Sequence, residues 1–257
     1  MKVSIVTVNL NNATGLEKTI QSVVSQTFTD YEYIIIDGNS SDNSVEVIKQ
    51  YADHISYWVS EPDAGIYNAM NKGIKQAKGD YVIFMNSADC FINSDTLSNV
   101  FSKEHTADLL VGNMIEDRKR LKARCAYPSK LTFYYFFAGQ TLVHQATFTK
   151  RTLFDELGLY DEHLKICADW KFALLALFKY NKSIENLHED IALMDLTGLS
   201  YSDNAQQCIR QEREETLKKY FPYFYDDYQE LYRLKQYSLS GLKRLIIGRR
   251  MRKFLRG

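Results

Sequence analysis

The chain is short of the residues that usually announce a function. Of 257 residues only 3 are proline and 12 are glycine, too few for long flexible linkers or repeats. Cys90, Cys125, Cys167 and Cys208 are widely separated and form no C-x-x-C pair. That excludes the usual zinc and disulfide frameworks and reads as reduced, small apolar residues of a cytosolic protein. No run approaches the roughly 20 apolar residues that cross a bilayer. The opening "MKVSIVTVNLNN" also lacks the charged start and apolar core of a secretory signal. A cytoplasmic protein, soluble or peripheral, is expected. Neither sign of charge is in excess, with 32 basic and 32 acidic residues, so bulk electrostatics favours no polyanion. No RNA-binding motif is present, and no nucleic-acid partner is expected. The chain has no G-x-G-x-x-G after its first strand and no G-x-x-x-x-G-K-[ST], which removes the main support for dinucleotide and P-loop readings.

What is there is an alternation of strands and helices. "VSIVTVNL", "YEYIIID", "ISYWVSE" and "DYVIFMN" are short apolar, β-branched or aromatic runs that predict buried strands. Between them, "NNATGLEKTIQSVVSQTF", "SSDNSVEVIKQYA" and "DAGIYNAMNKGIKQAKG" carry apolar residues at helical spacing. Thr14 is a candidate cap for the first helix, Ser41 or Asp42 for the second, and Gly79 a candidate stop for the third. This order predicts an α/β fold, a Rossmann-like, mostly parallel sheet flanked by helices. Ligands of such sheets bind beyond the carboxyl ends of the strands. Thr7 to Asn9, Asp37 to Ser40, Glu61 to Asp63 and Asn86 to Asp89 all fall there, four polar clusters aimed at one crevice. A nucleotide or sugar site is the functional reading, and solvated loops are the alternative.

Taken together, these clusters resemble the inverting family 2 glycosyltransferases of the GT-A fold, enzymes of the kind used in bacterial polysaccharide or lipopolysaccharide assembly. "VSIVTVNLNN" looks like their first strand and nucleotide loop. "IIIDGNSSDNS" resembles their Asp-Gly-Ser-Ser-x-Asp-x-Ser segment, and "PDAGIYNAMNKGIKQAKGDYVIFMNSAD" the unit leading to their Asp-x-Asp motif. The resemblance covers roughly residues 1 to 200, most closely to Asp89. It implies a catalytic domain over 1–200, with a nucleotide-sugar half (1–100) and an acceptor half (101–200). Residues 201–257 form a helical, basic C-terminal extension.

The same resemblance implies roles for particular residues. Asp37 accepts a hydrogen bond from the imide N–H of a uracil-type base, or alternatively only begins a turn. Thr7, Asn9, Asn39, Asp63, Asn86 and Ser87 join it around the donor. Asn71 and Gly73 match a segment that often reads Ala-Arg-Asn-x-Gly. Met70 stands at the Arg position, so Lys72 either supplies the cation or is solvated. After the fourth strand the family often has Asp-x-Asp-Asp. Here the run is Asn86-Ser87-Ala88-Asp89, leaving Asp89 as the one retained acid. One carboxylate, donor phosphates and waters suffice for Mg²⁺ or Mn²⁺, which prefer hard oxygen ligands. The alternative is that Asp89 caps the turn and Lys72 alone balances the diphosphate.

An inverting transfer also needs a general base across from the donor. Asp169, in "KICADWKFALLAL", matches the family's acidic position there; a helix-capping role is compatible. His144, Gln145 and Trp170 are placed on the acceptor side, His144 having a packing role as its alternative. His188 is a second metal or diphosphate candidate, in competition with Glu189, Asp190 and Asp195. Tyr127 and Phe133 to Phe137 line an acceptor cleft or pack the core. "AQQCIRQEREETLKKYF" reads as a charged surface helix. Residues 241–257 hold seven basic residues and no acid, with apolar residues interleaved. That pattern suits an anionic membrane surface, with RNA binding or ordinary packing as rivals. The function expected is transfer of a sugar, with inversion, from a nucleotide donor of the UDP class to a glycan or lipid-linked acceptor. A sugar nucleotidyltransferase and a non-catalytic sugar-nucleotide or glycan-binding protein are the alternatives.

Overall fold

The structure is a computed structural model that describes residues 1–118, 121–128, 130–194 and 205–236. Asp195 and the basic segment 241–257 therefore lie outside the described residues.

The first half builds as its sequence alternation requires. Strands β1 (Val3–Asn9), β2 (Tyr31–Asp37), β3 (Tyr57–Ser60) and β4 (Tyr81–Phe84) alternate with helices α1 (Ala13–Val24), α2 (Ser44–Gln50) and α3 (Ile66–Gln76). β1 pairs in parallel with both β2 and β4, and β2 with β3. Every residue of β1 is buried, as in a strand covered on both faces. Alternate residues go to two cores. Val6, Val8, Ile34 and Phe84 pack on the α3 side, and Ile5, Tyr33, Ile35 and Ile83 on the α1 side.

Local signals set the helix ends, with two differences from expectation. Asn12, not Thr14, caps α1, its Oδ1 accepting from Gly15 N at 3.1 Å. Asp42 holds two helix starts at once. Oδ2 accepts from Ala13 N at 2.9 Å, and Oδ1 from Ser44 N at 3.0 Å. A carboxylate there serves the free N–H groups and positive ends of α1 and α2 together. Gly79 does not end α3, which stops at Gln76. It is needed because a Cβ there would lie 2.6 Å from Ser4 N.

The second half is mixed. β5 (Cys90–Phe91), α4 (Thr96–Val100), β6 (Leu109–Arg118), β7 (Leu121–Cys125), α5 (Phe133–Phe137), β8 (Thr147–Lys150), α6 (Thr152–Leu157), α7 (Ala168–Phe178) and β9 (Ile184–Met194) follow in order. The nine strands among the described residues join one sheet, ordered β3-β2-β1-β4-β8-β6-β9-β5 with β7 beside β6. β8 is antiparallel to both β4 and β6, whereas β9 runs parallel to β6. Helices α8 (Ala205–Tyr220) and α9 (222–236) complete the described chain. Leu217 and Phe221 are buried among the α3 and α7 side chains of the core. The aromatic run packs in the same region. Phe136 is fully buried, and Phe133 meets Phe178, Phe221 and Tyr228 with ring centroids 4.8–5.4 Å apart. Packing, not an open cleft, accounts for these rings.

Candidate active site

The strand ends bring the donor-side clusters together through buried hydrogen bonds. Asp37, with no exposed surface, accepts from four donors. Oδ1 takes Asn9 Nδ2 at 2.7 Å and Ser40 Oγ at 2.6 Å, and Oδ2 takes Ser40 N at 2.9 Å and Ser60 Oγ at 2.6 Å. Burial alone would raise its carboxyl, but these donors outweigh burial and hold it below its ordinary 3.8. Asn9 passes the network on, since its Oδ1 accepts from Ser87 Oγ at 2.7 Å. The parallel order β3-β2-β1-β4 is what brings these four segments side by side. Gly38 admits the Asp63 carboxylate, whose Oδ2 would lie 2.9 Å from a Cβ there. Asn39, exposed, takes a φ of 62° in the same turn.

Three donor-side residues are committed elsewhere. Thr7 Oγ1 donates to Met85 O at 2.7 Å and lies 2.9 Å from the Tyr33 hydroxyl. Asn71 is buried and ties α3 to the 160–162 segment: it donates to Tyr160 O and Glu162 Oε1 and accepts from Tyr160 N. That fills its amide with structural partners, where a ligand contact was expected. Lys72 is half-buried and paired within the protein. Its Nζ sits 2.7 Å from Asp63 and 2.8 Å from Glu61 and donates to Pro62 O at 3.0 Å.

The turn after β4 is organised by a residue that the sequence did not reveal, Thr19 on α1. Its buried hydroxyl donates toward Asp89 O at 2.7 Å and Asn86 O at 3.2 Å, and accepts from Ala88 N at 3.0 Å. Ala88 takes a φ of 83°, a left-handed conformation that costs an alanine about 1–2 kcal/mol. Asp89 is 5% exposed, and Gln145 Nε2 donates to its Oδ2 at 2.9 Å.

Among the described residues no three His, Cys, Asp or Glu side chains gather as a metal site. The donor set at this turn is instead one carboxylate and two amides. Asn86 Oδ1 and Gln145 Oε1 are both buried without a hydrogen-bond donor. Oxygens alone, with a single charge, fit a hard cation such as Mg²⁺ or Mn²⁺ that takes its remaining ligands from phosphate and water. His188 is not part of this group. It lies in β9 at a φ of 58° and lines a separate cavity of about 250 Å³ with Asn93, Asn99, Arg124, Glu189 and Asp190.

The acceptor side meets the donor side through His144. Asn86 Nδ2 lies 3.1 Å from His144 Nε2, and His144 Nδ1 lies 3.1 Å from Asp169 Oδ2. An amide donor at Nε2 leaves Nδ1 to carry the proton toward Asp169. The other carboxylate oxygen accepts from the Tyr67 hydroxyl at 3.0 Å and from Trp170 N at 2.8 Å. Asp169 is thus mostly buried, its side chain 17% exposed. Burial would push its carboxyl up, but His144, Trp170 N–H and Tyr67 outweigh it and hold the group below 3.8. It is ionised at neutral pH. Trp170, expected on the acceptor side, offers no open surface there. Its side chain is buried, with Nε1 donating to Gln140 O at 3.1 Å and the Arg213 guanidinium 5.1 Å above its ring. No face is open to stack a sugar.

Comparison with known proteins decides the family. The sequence profile described as glycosyl transferase family 2 matches residues 4–145, more than half the chain. The chain belongs to glycosyl transferase family 2. Glycosyltransferase Rv1514c of Mycobacterium tuberculosis is 36% identical over 180 residues, 68% of each chain. A PGL/p-HBAD biosynthesis glycosyltransferase of Mycobacterium bovis BCG is 31% identical over 176 residues, 66% of this chain and 67% of that one. Among solved structures, S. aureus TarS 1–349 in complex with UDP-GlcNAc superposes with a TM-score of 0.67 at 18% identity, over 85% of this chain and 67% of that one. Mannosyltransferase PcManGT of Pyrobaculum calidifontis, in complex with GDP-Man and Mn²⁺, gives a TM-score of 0.62 at 15% identity, over 85% and 63%. These structural likenesses establish the GT-A fold. For a family 2 enzyme the profile match ends at His144 and Gln145, so Asp169 and everything after it lie beyond the matched segment.

Proposed function

We propose that this family 2 glycosyltransferase moves a sugar, with inversion, from a nucleoside-diphosphate donor of the UDP class to a glycan or lipid-linked acceptor. The observation that carries the reading is the run Asn86–His144–Asp169, which places a buried, ionised carboxylate beside the strand ends where donors of such sheets bind. Asp169 is the general base. It takes the proton of the acceptor hydroxyl as that oxygen attacks the anomeric carbon from the face opposite the leaving nucleotide. His144 and Tyr67 fix the carboxylate and keep it charged. Asp37 reads the base: its carboxylate accepts from the Ser40 and Ser60 hydroxyls and would take an imide N–H in place of one of them. A base without that N–H offers nothing in exchange for the hydroxyl it would displace, which is the source of discrimination.

Asp89, with the amide oxygens of Asn86 and Gln145, would hold the divalent cation. When bound, the cation supplies charge stabilisation for the departing diphosphate. Lys72 is already neutralised by Asp63 and Glu61, which supports the cation over lysine as the counter-charge. Calorimetry with UDP, GDP, dTDP and CDP, with and without Mn²⁺, tests both parts. UDP is expected to bind best and to gain affinity with Mn²⁺. Binding of none of the four would refute the donor site, and metal-independent binding only the cation.

The reading extends to location. No helix among the described residues is long and apolar enough to cross a membrane. Tyr223, Phe224, Leu231 and Leu234 are exposed on α9, just ahead of the seven basic residues of 241–257. This supports peripheral docking on an anionic membrane, where a lipid-linked acceptor resides. Sedimentation with anionic liposomes should fall on deletion of 241–257; unchanged sedimentation removes the membrane from the proposal.

A further inference from the structure

The loop that leads into α7 is held by a carboxylate from a distant part of the chain. Glu212, in the middle of α8, is 8% exposed. Its Oε1 accepts from Lys165 N at 2.6 Å, and its Oε2 from Ile166 N at 3.1 Å and Cys167 N at 2.9 Å. These are three consecutive backbone N–H groups, and Ala168, the next residue, begins α7. The first turn of a helix leaves its N–H groups without internal partners, and capping usually comes from a side chain within that turn. Cys167, the residue at the cap position of α7, makes no side-chain cap bond. Glu212 meets the approach to that turn from outside.

The same loop is gripped from its other side. The Tyr67 hydroxyl lies 2.5 Å from Ile166 O and 3.0 Å from Asp169 Oδ1. Beside Glu212, Arg213 lies over Trp170 and donates to Gly139 O, while Trp170 Nε1 bonds Gln140 O. Asp169 therefore stands on a turn whose backbone is fixed by Glu212 and whose next side chain is covered by Arg213. Three charge-assisted bonds to one loop exceed what packing of a surface helix requires. Hydrophobic contacts through Leu217 and Phe221 already anchor α8.

We propose that Glu212 is a positioning residue for catalysis: it sets the height and tilt of the first turn of α7 and so places the Asp169 carboxylate. This rests on Asp169 being the base. Glu212 acts through backbone N–H groups and touches no substrate. Replacing one acceptor oxygen by an amide turns an attraction into a clash of N–H donors, which displaces the turn without opening the donor site.

The test uses the full chain and release of UDP from UDP-GlcNAc and UDP-glucose to water as the turnover, with UDP affinity measured by calorimetry. Glu212→Gln is expected to lower kcat about 10²-fold, the usual effect of a misplacement near 1 Å, with UDP affinity unchanged. Glu212→Asp keeps the charge at shorter reach and should recover part of the loss. A parallel fall in kcat and UDP affinity, or a parental kcat in Glu212→Gln, overturns the assignment. Should Glu212→Gln fail to fold, Glu212→Asp decides alone: reduced kcat at full UDP affinity supports the assignment, and parental kcat overturns it. Asp169→Asn separates the two claims. If it keeps turnover, the base assignment falls. If it loses turnover while Glu212→Gln keeps it, only the positioning role falls.

Discussion

The two sides of the site are built by different means. On the donor side, neighbouring strand ends hold one another. Asn9, Asp37 and Ser40 close a hydrogen-bonded ring, and Ser60 and Ser87 branch from it, so that it ties together β1, β2, β3 and the turn after β4. On the acceptor side, Asp169 depends on residues far away in the chain: Tyr67 on α3, His144 before β8 and, through the loop, Glu212 on α8. One side is a self-contained set of loops, and the other is an assembly of elements that must dock correctly. Single changes on the donor side should therefore be felt in nucleotide binding and stability, and those on the acceptor side in turnover.

The largest expected effect is on the acceptor side. Asp169→Asn should lower kcat by about 10²- to 10⁴-fold, the range for loss of a general base, and leave UDP affinity in place. Comparable losses of both would mean that the two sides are not separable. His144→Ala removes a donor from Asp169 and a partner from Asn86, so it should lower kcat and weaken UDP binding together. It is the one change expected to cross between the sides, and an effect on kcat alone would place Asn86 outside the donor site.

Asp37→Asn is expected to cost stability as well as affinity. The amide offers one acceptor oxygen where the carboxylate serves four donors, and each buried donor left without a partner costs about 1–3 kcal/mol. Thermal melts should show the loss. The pH dependence has a definite sign. The folded carboxyls of Asp37 and Asp169 lie below the ordinary 3.8, so the unfolded chain takes up protons first as the pH falls. Their contribution is complete above that value and disappears as pH drops through the folded values. The melting temperature of Asp37→Asn should therefore depend less on pH below about 4 than that of the parent. The smallest change is Ala88→Gly. It relieves the φ of 83° and should stabilise the chain by about 1 kcal/mol or less, offset by the lost methyl packing.

The same contrast governs what the sequence reveals. The first four strands and the Asp37 turn are legible because their signals are local: β-branched runs, small polar residues at their ends, helical spacing between. Asp89 and Gln145 were singled out from their place in motifs, and the structure joins them by a hydrogen bond. The burial of Trp170 was not legible, because a tryptophan beside an acidic residue looks the same whether it faces a cleft or the core. Only the arrival of Arg213 and Gln140 decides that. Motif position suggested a ligand role for Asn71, and either a cation role or solvation for Lys72; it could not show their protein partners Tyr160, Glu162 and Glu61, which come from other loops. Glu212 sits in the run "QEREE", where every neighbour is polar. Nothing local distinguishes the one glutamate that turns inward. Thr19 and Tyr67 were invisible for the same reason, each ordinary in its helix and decisive through contacts dozens of residues away.

The position of Glu212 also has a meaning in time. A chain is made from its N-terminus onward, and early segments tend to fold first. The donor ring is complete once β4 and its following turn have left the ribosome. The loop before α7, in contrast, waits for a carboxylate 45 residues further along the chain. During synthesis the enzyme thus passes through a stage that holds the donor loops but lacks the finished support of its base. A nascent chain halted near residue 200 is at that stage: furnished for nucleotide, unready for transfer.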